Sequence, residues 1–446
     1  MRPPLPLVLC LVLAGASMFL VLPAPSYDAW AWLLWGTEVL SGELSTSDGP
    51  AFKPLPVAAS TLLAGLGAAG PWAWVFIARA AAAVGAWLAF RLARRLAGGS
   101  VIAGGLAAAG VLLCGGYLAY ASEGVAEGML LALALAAGEA WRAGRPRWAL
   151  AAAVGCALLR VEIWPFLAVA AAVTWRRRPQ DRWLLTTVAL VVPAAWFVPE
   201  LIGSGEILRS AGRARVPNPG QPALADVPVL ASLRAGVALP LWPLWAGVGV
   251  LTWAAAVRRE EAARAALVPA AVGVAWISLV AAMAQAGFSG EPRYALPGAA
   301  LVASSGAVGL VVAGRRLPRW RGAALAAMSF FMVTAAVPRV ASLADLRRAQ
   351  AHQWALQADL ARALDEAGGA APVLGCGVAY VGPLRGPLAA YRLGVPKHVV
   401  EPDRLPRAPG VVLRSRLTPE DRPAPAVPAG FRQVAHAGAW QVFTSC

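Results

Sequence analysis

The sequence predicts an all-α polytopic membrane bundle of about 11 transmembrane helices. Two interfacial helices occupy its first outer loop, and a small C-terminal extracytoplasmic α/β domain follows. Three observations predict this. Of the 446 residues, 59% are hydrophobic, and the mean hydropathy is +0.61. Only 14% are charged, against roughly 25% in soluble domains. Apolar runs near spanning length recur as far as residue 337, and the tail after them has a different texture. Such a chain cannot cover itself with polar surface in water. That excludes a soluble enzyme, a disordered chain and a disulfide-scaffolded secreted domain.

A spanning helix needs about 20 mostly apolar residues. The first run, 5–22, lacks a small-residue cleavage site followed by a polar mature chain, so it reads as a retained anchor. Further runs lie at 71–92, 101–120, 124–140, 148–160, 163–175, 183–199, 235–257, 266–286, 296–314 and 323–337. The runs at 148–160 and 163–175 are short enough to require tilt or local thinning.

The net charge of +16 would suggest nucleic acid in a soluble protein. Here basic loops set orientation instead, and no nucleic-acid partner is expected. With the N-terminus cytoplasmic, the inner segments carry Arg2, then the clusters Arg91/Arg94/Arg95, Arg142/Arg145/Arg147, Arg176/Arg177/Arg178/Arg182, Arg258/Arg259/Arg264 and Arg315/Arg316/Arg319/Arg321. The outer loops hold only Lys53, Arg209, Arg213, Arg215, Arg234 and Arg293 before residue 337. Most carboxylates fall on the outer side, among them Asp28, Glu38, Asp48, Glu123, Glu162, Glu200 and Glu291. Arg79 and Glu127 sit inside runs, where ionisable groups are costly and pair or act. An Arg79 pair with Glu127 or Glu123 is the expectation.

The expected division is a membrane domain over 1–340 and an α/β domain over 341–446. The tail opens on an amphipathic helix at 343–367, followed by short apolar runs at 372–374, 398–400, 410–413 and 433–443 broken by Pro and Gly. Cys10, Cys114 and Cys156 lie in spans. Cys376 and Cys446 lie in the tail, on the oxidising side, and are expected to form a disulfide. His352, His398 and His436 are all in the tail. Acid–base chemistry in the bundle therefore falls to carboxylates, Arg, Lys or Tyr.

The first outer loop carries the strongest signal. Tyr27-Asp28-Ala29-Trp30-Ala31-Trp32-Leu33-Leu34-Trp35-Gly36-Thr37-Glu38 packs three indoles into six residues, and indoles favour the headgroup level. It reads as a helix lying flat on the outer leaflet, with Asp28 and Glu38 on one face. A second flat helix at 55–66 follows Phe52-Lys53-Pro54-Leu55-Pro56. Asp28 at a helix start is also a favoured N-cap, and Lys53 is long enough to snorkel to headgroups.

This order of span, Asp-initiated flat helix and Pro-led flat helix resembles the GT-C superfamily of polytopic membrane glycosyltransferases. Three more segments agree: Ser122-Glu123-Gly124, then Leu158-Leu159-Arg160-Val161-Glu162-Ile163-Trp164-Pro165-Phe166, and Glu291-Pro292-Arg293-Tyr294-Ala295-Leu296-Pro297. The last is similar to an Arg-Tyr-x-x-Pro segment common in that superfamily. The resemblance covers roughly the first 340 residues. It implies a bacterial plasma-membrane enzyme using a polyprenyl-phosphate-linked sugar, with membrane lipids around it and a glycan, lipid or protein acceptor. By position it implies Asp28 as catalytic base. No paired Asp-x-Asp is present, so a divalent metal is not predicted, and no other cofactor is indicated.

Glycosyl transfer from a lipid phosphate needs a carboxylate base, cations for the departing phosphate and apolar surface for the chain. The candidates are Asp28 as base, with Lys53, Arg213, Arg215 and Arg293 for the phosphate. Tyr294, Glu123, Arg160, Glu162 and Glu291 are further substrate-binding candidates. Arg213 and Arg215 also read as solvated loop charges, and Arg293 as the ion-pair partner of Glu291. Trp354, Tyr380 and Tyr391 read either as sugar-stacking rings or as core. The alternative is a transporter or lipid-linked sugar flippase. Against it, the halves show no repeat and ionisable residues crowd the outer end rather than the midplane.

Overall fold

The computed structural model describes residues 5–316, 319, 321–402 and 405–446. Arg2, expected on the inner face, lies outside the described residues. The chain opens with α1 (Leu5–Leu20), α2 (Tyr27–Ser41) and α3 (Pro54–Ala64), whose proline at the first turn needs no backbone donor. The long α4 (Gly70–Leu96) carries α1 on one side. Next come α5 (Val101–Leu112), α6 (Tyr117–Ser122), α7 (Glu127–Arg142), α8 (Pro146–Ala157), α9 (Trp164–Arg177) and α10 (Arg182–Ser204). The short α11 (Arg209–Ala214) leads to α12 (Pro228–Val237), α13 (Trp242–Ala256), α14 (Glu261–Gln285) and α15 (Leu296–Arg316). α16 (Arg321–Glu366) then runs for 46 residues.

Among the described residues, five helical stretches are long and apolar enough to cross a bilayer: Gly67–Leu96, Pro179–Ser204, Glu261–Gln285, Pro292–Arg316 and Gly322–Glu366. The expected run at 235–257 is two helices, α12 and α13, bent by 91°. Pro240 and Pro243 sit at that bend and cannot continue a helix. The run at 101–120 is likewise divided, at Gly116, whose φ of 79° suits glycine. Helices α7, α8 and α9 have 16, 12 and 14 residues. At 1.5 Å per residue they reach roughly 18–24 Å, short of a ~30 Å hydrocarbon core.

Small residues let two of the helices touch. Gly247 of α13 lies against the backbone of Gly306 and Gly309 of α15, the packing lipid favours where no hydrophobic drive separates helices from tails. Gly306→Leu should lower the unfolding temperature in detergent by several degrees, because the backbones leave no room for a side chain. An unchanged melting curve would show that α13 and α15 do not depend on this contact.

The tail forms α17 (Ala370–Gly375), β1 (Val378–Val381), α18 (Gly386–Leu393), β2 (Val400–Pro402), β3 (Gly410–Ser415), β4 (Arg432–Ala437) and β5 (Trp440–Ser445). The sheet order is β2-β1-β3-β5-β4, with β1 parallel to both neighbours and β5 antiparallel to both of its own. The apolar run at 372–374 is helical rather than extended. The run at 433–443 folds back on itself at Gly438, giving β4 and β5. Cys376 and Cys446 form a disulfide with Cα atoms 4.5 Å apart. No break marks residue 340. α16 passes straight through it, and its second half packs Leu356, Leu360 and Ala363 against the sheet, where Trp440 Nε1 donates to Leu356 O at 2.7 Å.

One apolar cluster runs from α2 into this sheet domain. Trp30, Trp32 and Trp35 are 3%, 0% and 0% exposed, so the indoles are buried in protein and do not stand out at the headgroup level as expected. Trp30 meets Tyr391 of α18, Trp32 meets Trp74 of α4, and Trp35 meets Phe52. The indoles are consumed by protein contacts. α2 is a wedge between bundle and tail, and its ends are therefore fixed in position.

Candidate active site

Ser26 starts α2. Its Oγ accepts from the Ala29 N–H, and its own N–H donates to Glu123 O at 2.9 Å. With Ser26 as the cap, Asp28 is left free in the first turn. Its Oδ2 lies 3.0 Å from Nη2 of Arg293, and both side chains are mostly buried. Glu38 lies three turns away and accepts the Ser45 N–H at 2.9 Å. The two carboxylates share one helix but serve different places along it.

Lys53 precedes α3 and is buried. Its Nζ sits 4.9 Å from the centre of the Trp32 ring, and the side chain turns inward rather than to headgroups. Among the described residues Lys53 forms no ion pair, whereas the neighbouring arginines are doubly engaged. Arg293 bonds Glu291 at 2.7 Å as well as Asp28. Arg160 pairs with Glu127, approaches Glu162 at 3.7 Å and lies 3.8 Å over the Tyr294 ring.

The pairing expected for Arg79 is thus corrected. Glu127 belongs to Arg160. Arg79 instead donates to the carbonyls of Ser17 and Val21 at 2.7 and 2.8 Å, and to Ser122 O at 3.3 Å. It binds carbonyls at and just beyond the end of α1, where helical donors run out, although Ser17 O also accepts the Val21 N–H at 3.0 Å.

A cavity of about 350 Å³ brings the charged residues together. Asp28, Lys53, Arg160, Glu162, Arg213, Glu291, Arg293 and Tyr294 line it, and Trp196, Phe197, Val280 and Met283 supply an apolar flank. Two candidates fall elsewhere. Arg215 is exposed and stacks on Phe288 at 5.1 Å. Glu123 lies behind the start of α2 and off the cavity wall. Arg213 reaches the wall while donating to Val216 O at 2.7 Å. The aromatic residues of the tail are spent on packing. Tyr380 is core, Tyr391 meets Trp30, and Trp354 meets Trp72 edge-on at 4.5 Å.

Two residues missed in the sequence belong to this region. Glu127 read as a structural charge inside a run, and only the fold shows it beneath the site. Glu200 read as one more outer carboxylate. It lines the cavity and is 1% exposed. Its position one turn from the end of α10, before a Gly-rich loop, was the only signal in the sequence.

Burial and neighbouring charges tune these groups. Burial pushes the Asp28 carboxyl up, but Arg293, Lys53 and Arg160 outweigh it and hold it below the ordinary aspartate value. Burial, reinforced by Arg160, brings the Lys53 ammonium down to about 8 against the pull of Glu127 and Asp28. Burial pushes Glu123 up to about 7, with Arg293 opposing and Glu291, Glu127 and Asp28 adding to the rise. At neutral pH the cavity therefore holds an ionised carboxylate and the Lys53 ammonium, which forms no ion pair among the described residues. No group of three or more His, Cys, Asp or Glu among the described residues is arranged to hold a metal ion.

Below this cavity lies an apolar one of about 410 Å³, lined by residues such as Leu130, Leu131, Ile163, Val272 and Leu301. The stacked pair Phe166–Trp276, 5.4 Å apart, stands at its upper end. Trp276 Nε1 donates to Tyr294 O at 2.7 Å, which ties this partition to the charged site.

No family model and no curated protein matches the chain. Solved structures do. The crystal structure of ArnT from Cupriavidus metallidurans bound to undecaprenyl phosphate superposes with a TM-score of 0.60 at 16% identity, covering 99% of this chain and 97% of that one. The apo structure of the same protein gives 0.60 at 17% identity, covering 98% and 97%. At such identity the likeness is one of fold. The chain has the fold of ArnT over nearly its whole length.

Proposed function

We propose that a chain with this fold and this cavity is a membrane glycosyltransferase moving a sugar from a polyprenyl-phosphate donor to an acceptor hydroxyl on the extracytoplasmic face of a bacterial plasma membrane. The observation that carries the reading is the Asp28–Arg293 pair at 3.0 Å on the wall of the cavity that also holds the unpaired ammonium of Lys53. One of the matching structures was solved with undecaprenyl phosphate bound, which supports a lipid-phosphate donor here.

In the proposed reaction the acceptor hydroxyl gives its proton to the Asp28 carboxylate as its oxygen attacks the anomeric carbon. The bond from that carbon to the phosphate oxygen breaks, and its electron pair leaves on the polyprenyl phosphate. Attack opposite the leaving group inverts the anomeric centre. Lys53 neutralises the charge that develops on the phosphate, a contribution strengthened where water is excluded. Arg293 orients the base and keeps it ionised. The apolar flank of the cavity itself, Trp196, Phe197, Val280 and Met283, offers the isoprenoid chain a dry surface.

The test is transfer from a panel of radiolabelled polyprenyl-phosphate sugars by purified protein, read beside binding of undecaprenyl phosphate and undecaprenol. No transfer and no preference for the phosphate lipid, together with substrate-coupled flux in liposomes, would favour a transporter.

Lys53 makes the binding pH-dependent in a definite direction. A group whose pKa is depressed to about 8 is charged below that pH and neutral above it. A bound phosphate pulls the pKa back up, so affinity is level between about pH 7 and pH 8, where the phosphate monoester is ionised, and falls by about tenfold per unit above that. Undecaprenyl phosphate titrations at pH 7 and pH 9.5 should differ by roughly tenfold or more. Lys53→Arg should flatten that dependence. A wild-type affinity independent of pH over this range would remove Lys53 from the phosphate.

A further inference from the structure

We infer that Glu200 is a positioning residue that sets Lys53 in the donor site, by binding the loop before Lys53 to the segment after α10. The inference rests on the reading of Lys53 as the phosphate-binding cation.

Lys53 lies in a stretch without secondary structure, and an ammonium on a flexible stem is a poor electrostatic catalyst unless its backbone is held. The hold converges on one carboxylate. Glu200 Oε2 accepts from Thr46 Oγ1 at 3.1 Å, and Oε1 accepts from Ser210 Oγ. Ser210 Oγ in turn accepts the N–H of Phe52 at 2.7 Å, the residue before Lys53. Arg209, 3.6 Å from Glu200 Oε1, donates to Pro50 O at 2.7 Å and to Gly49 O at 2.8 Å. Thr46 N–H closes the set on Gly203 O at 3.0 Å. On the far side, Leu55 N–H donates to Leu158 O at 3.2 Å. The backbone of Lys53 is thus tethered one residue before and two residues after.

The tail also grips this loop, through Lys397 on Asp48 at 2.5 Å and His398 on Ser45 at 2.9 Å. Those contacts lie five and eight residues before Lys53. The Glu200 set reaches the residue next to Lys53, which the tail contacts do not. The same set fixes α11, whose Ser210, Ala211, Arg213 and Ala214 form one wall of the cavity. Glu200 therefore fastens two walls of the donor site to each other. Being engaged by Thr46, Ser210 and Arg209, it acts through Lys53 and need not touch the sugar.

The test measures the affinity of undecaprenyl phosphate and of undecaprenol for the full chain in detergent. The variants are Glu200→Gln, Ser210→Ala, Lys53→Ala and the double variant Lys53→Ala/Glu200→Gln. Glu200→Gln and Ser210→Ala should each weaken the phosphate lipid by roughly tenfold, the size of a lost hydrogen-bonded constraint. Undecaprenol binding should not change. In the Lys53→Ala background the Glu200 substitution should have no further effect, because its route to the ligand is gone. Ser210→Ala serves if Glu200→Gln does not accumulate. Three outcomes overturn the inference: unchanged phosphate-lipid affinity in both single variants, an equal loss for both lipids, or full additivity with Lys53→Ala. A wild-type protein that binds the two lipids alike is a different result, which removes the donor reading itself and this inference with it.

Discussion

Asp28→Asn should reduce sugar transfer by roughly 10²- to 10⁴-fold, the range a positioned general base supplies, while leaving undecaprenyl phosphate binding within a few-fold of wild type. Asn keeps the shape of Asp and offers an amide oxygen to Arg293, which also retains Glu291 at 2.7 Å. What is lost is the charge that accepts the acceptor's proton. The expectation separates chemistry from binding because the proposed phosphate contact is made by Lys53, which forms no ion pair among the described residues, and not by Asp28. Acidification gives a second reading of the same group. Arg293, Lys53 and Arg160 hold Asp28 below its ordinary value despite burial. The base is therefore present above that lowered pKa and lost only on falling through it. Transfer should not decline through Asp28 between pH 7 and pH 5. Undiminished turnover in the variant, or an acid limb near pH 6 that vanishes with Asp28→Asn, would show that another group takes the proton.

How much of this was legible in the sequence depended on whether the deciding partner was local. α4, α14 and α15 could be read because each is a long apolar run bounded by its own breakers and charges. The bend between α12 and α13 was signalled by Pro240 and Pro243, and the division of α5 from α6 by Gly115 and Gly116, yet hydropathy alone runs through both. The three indoles of α2 are the instructive failure. Their preference for the headgroup level is real, but burial in protein satisfies an indole equally well. Nothing near residue 30 announces that Tyr391 will cover it. Charged pairs were less legible still. Arg79 and Glu127 are 48 residues apart in the chain and looked matched by depth. The fold gives Arg79 to carbonyls at and just beyond the end of α1 and Glu127 to Arg160, choices set by helix packing rather than by spacing. The cavity residues were found because motif segments placed them. Glu200 was passed over because its importance lies in whom it holds.

The largest effect on stability is expected at Arg160. Its side chain is 7% exposed, Glu127 is 1% exposed, and Glu162 is 7% exposed. One guanidinium thus compensates two buried carboxylates while lying over Tyr294. Arg160→Met leaves Glu127 charged, dry and without its cation. Breaking a buried pair from one side costs about 3–5 kcal/mol, a large fraction of a marginal stability, so the variant should melt far below wild type or fail to accumulate. The pair itself adds little net stability, since each charge gave up its water to form it. Arg160→Met with Glu127→Leu should therefore recover much of the melting temperature, short of what Glu162 loses with its 3.7 Å contact. Transfer should not return with it. The double variant strips two charges from around Lys53 and Asp28, and Arg160 is one of the three cations that keep the base ionised. A stable but inactive double variant would mean that Glu127 and Arg160 are retained for the chemistry above them. Recovery of both stability and transfer would reduce them to a dispensable ion pair, and failure to recover stability would show that the fold needs their hydrogen bonds.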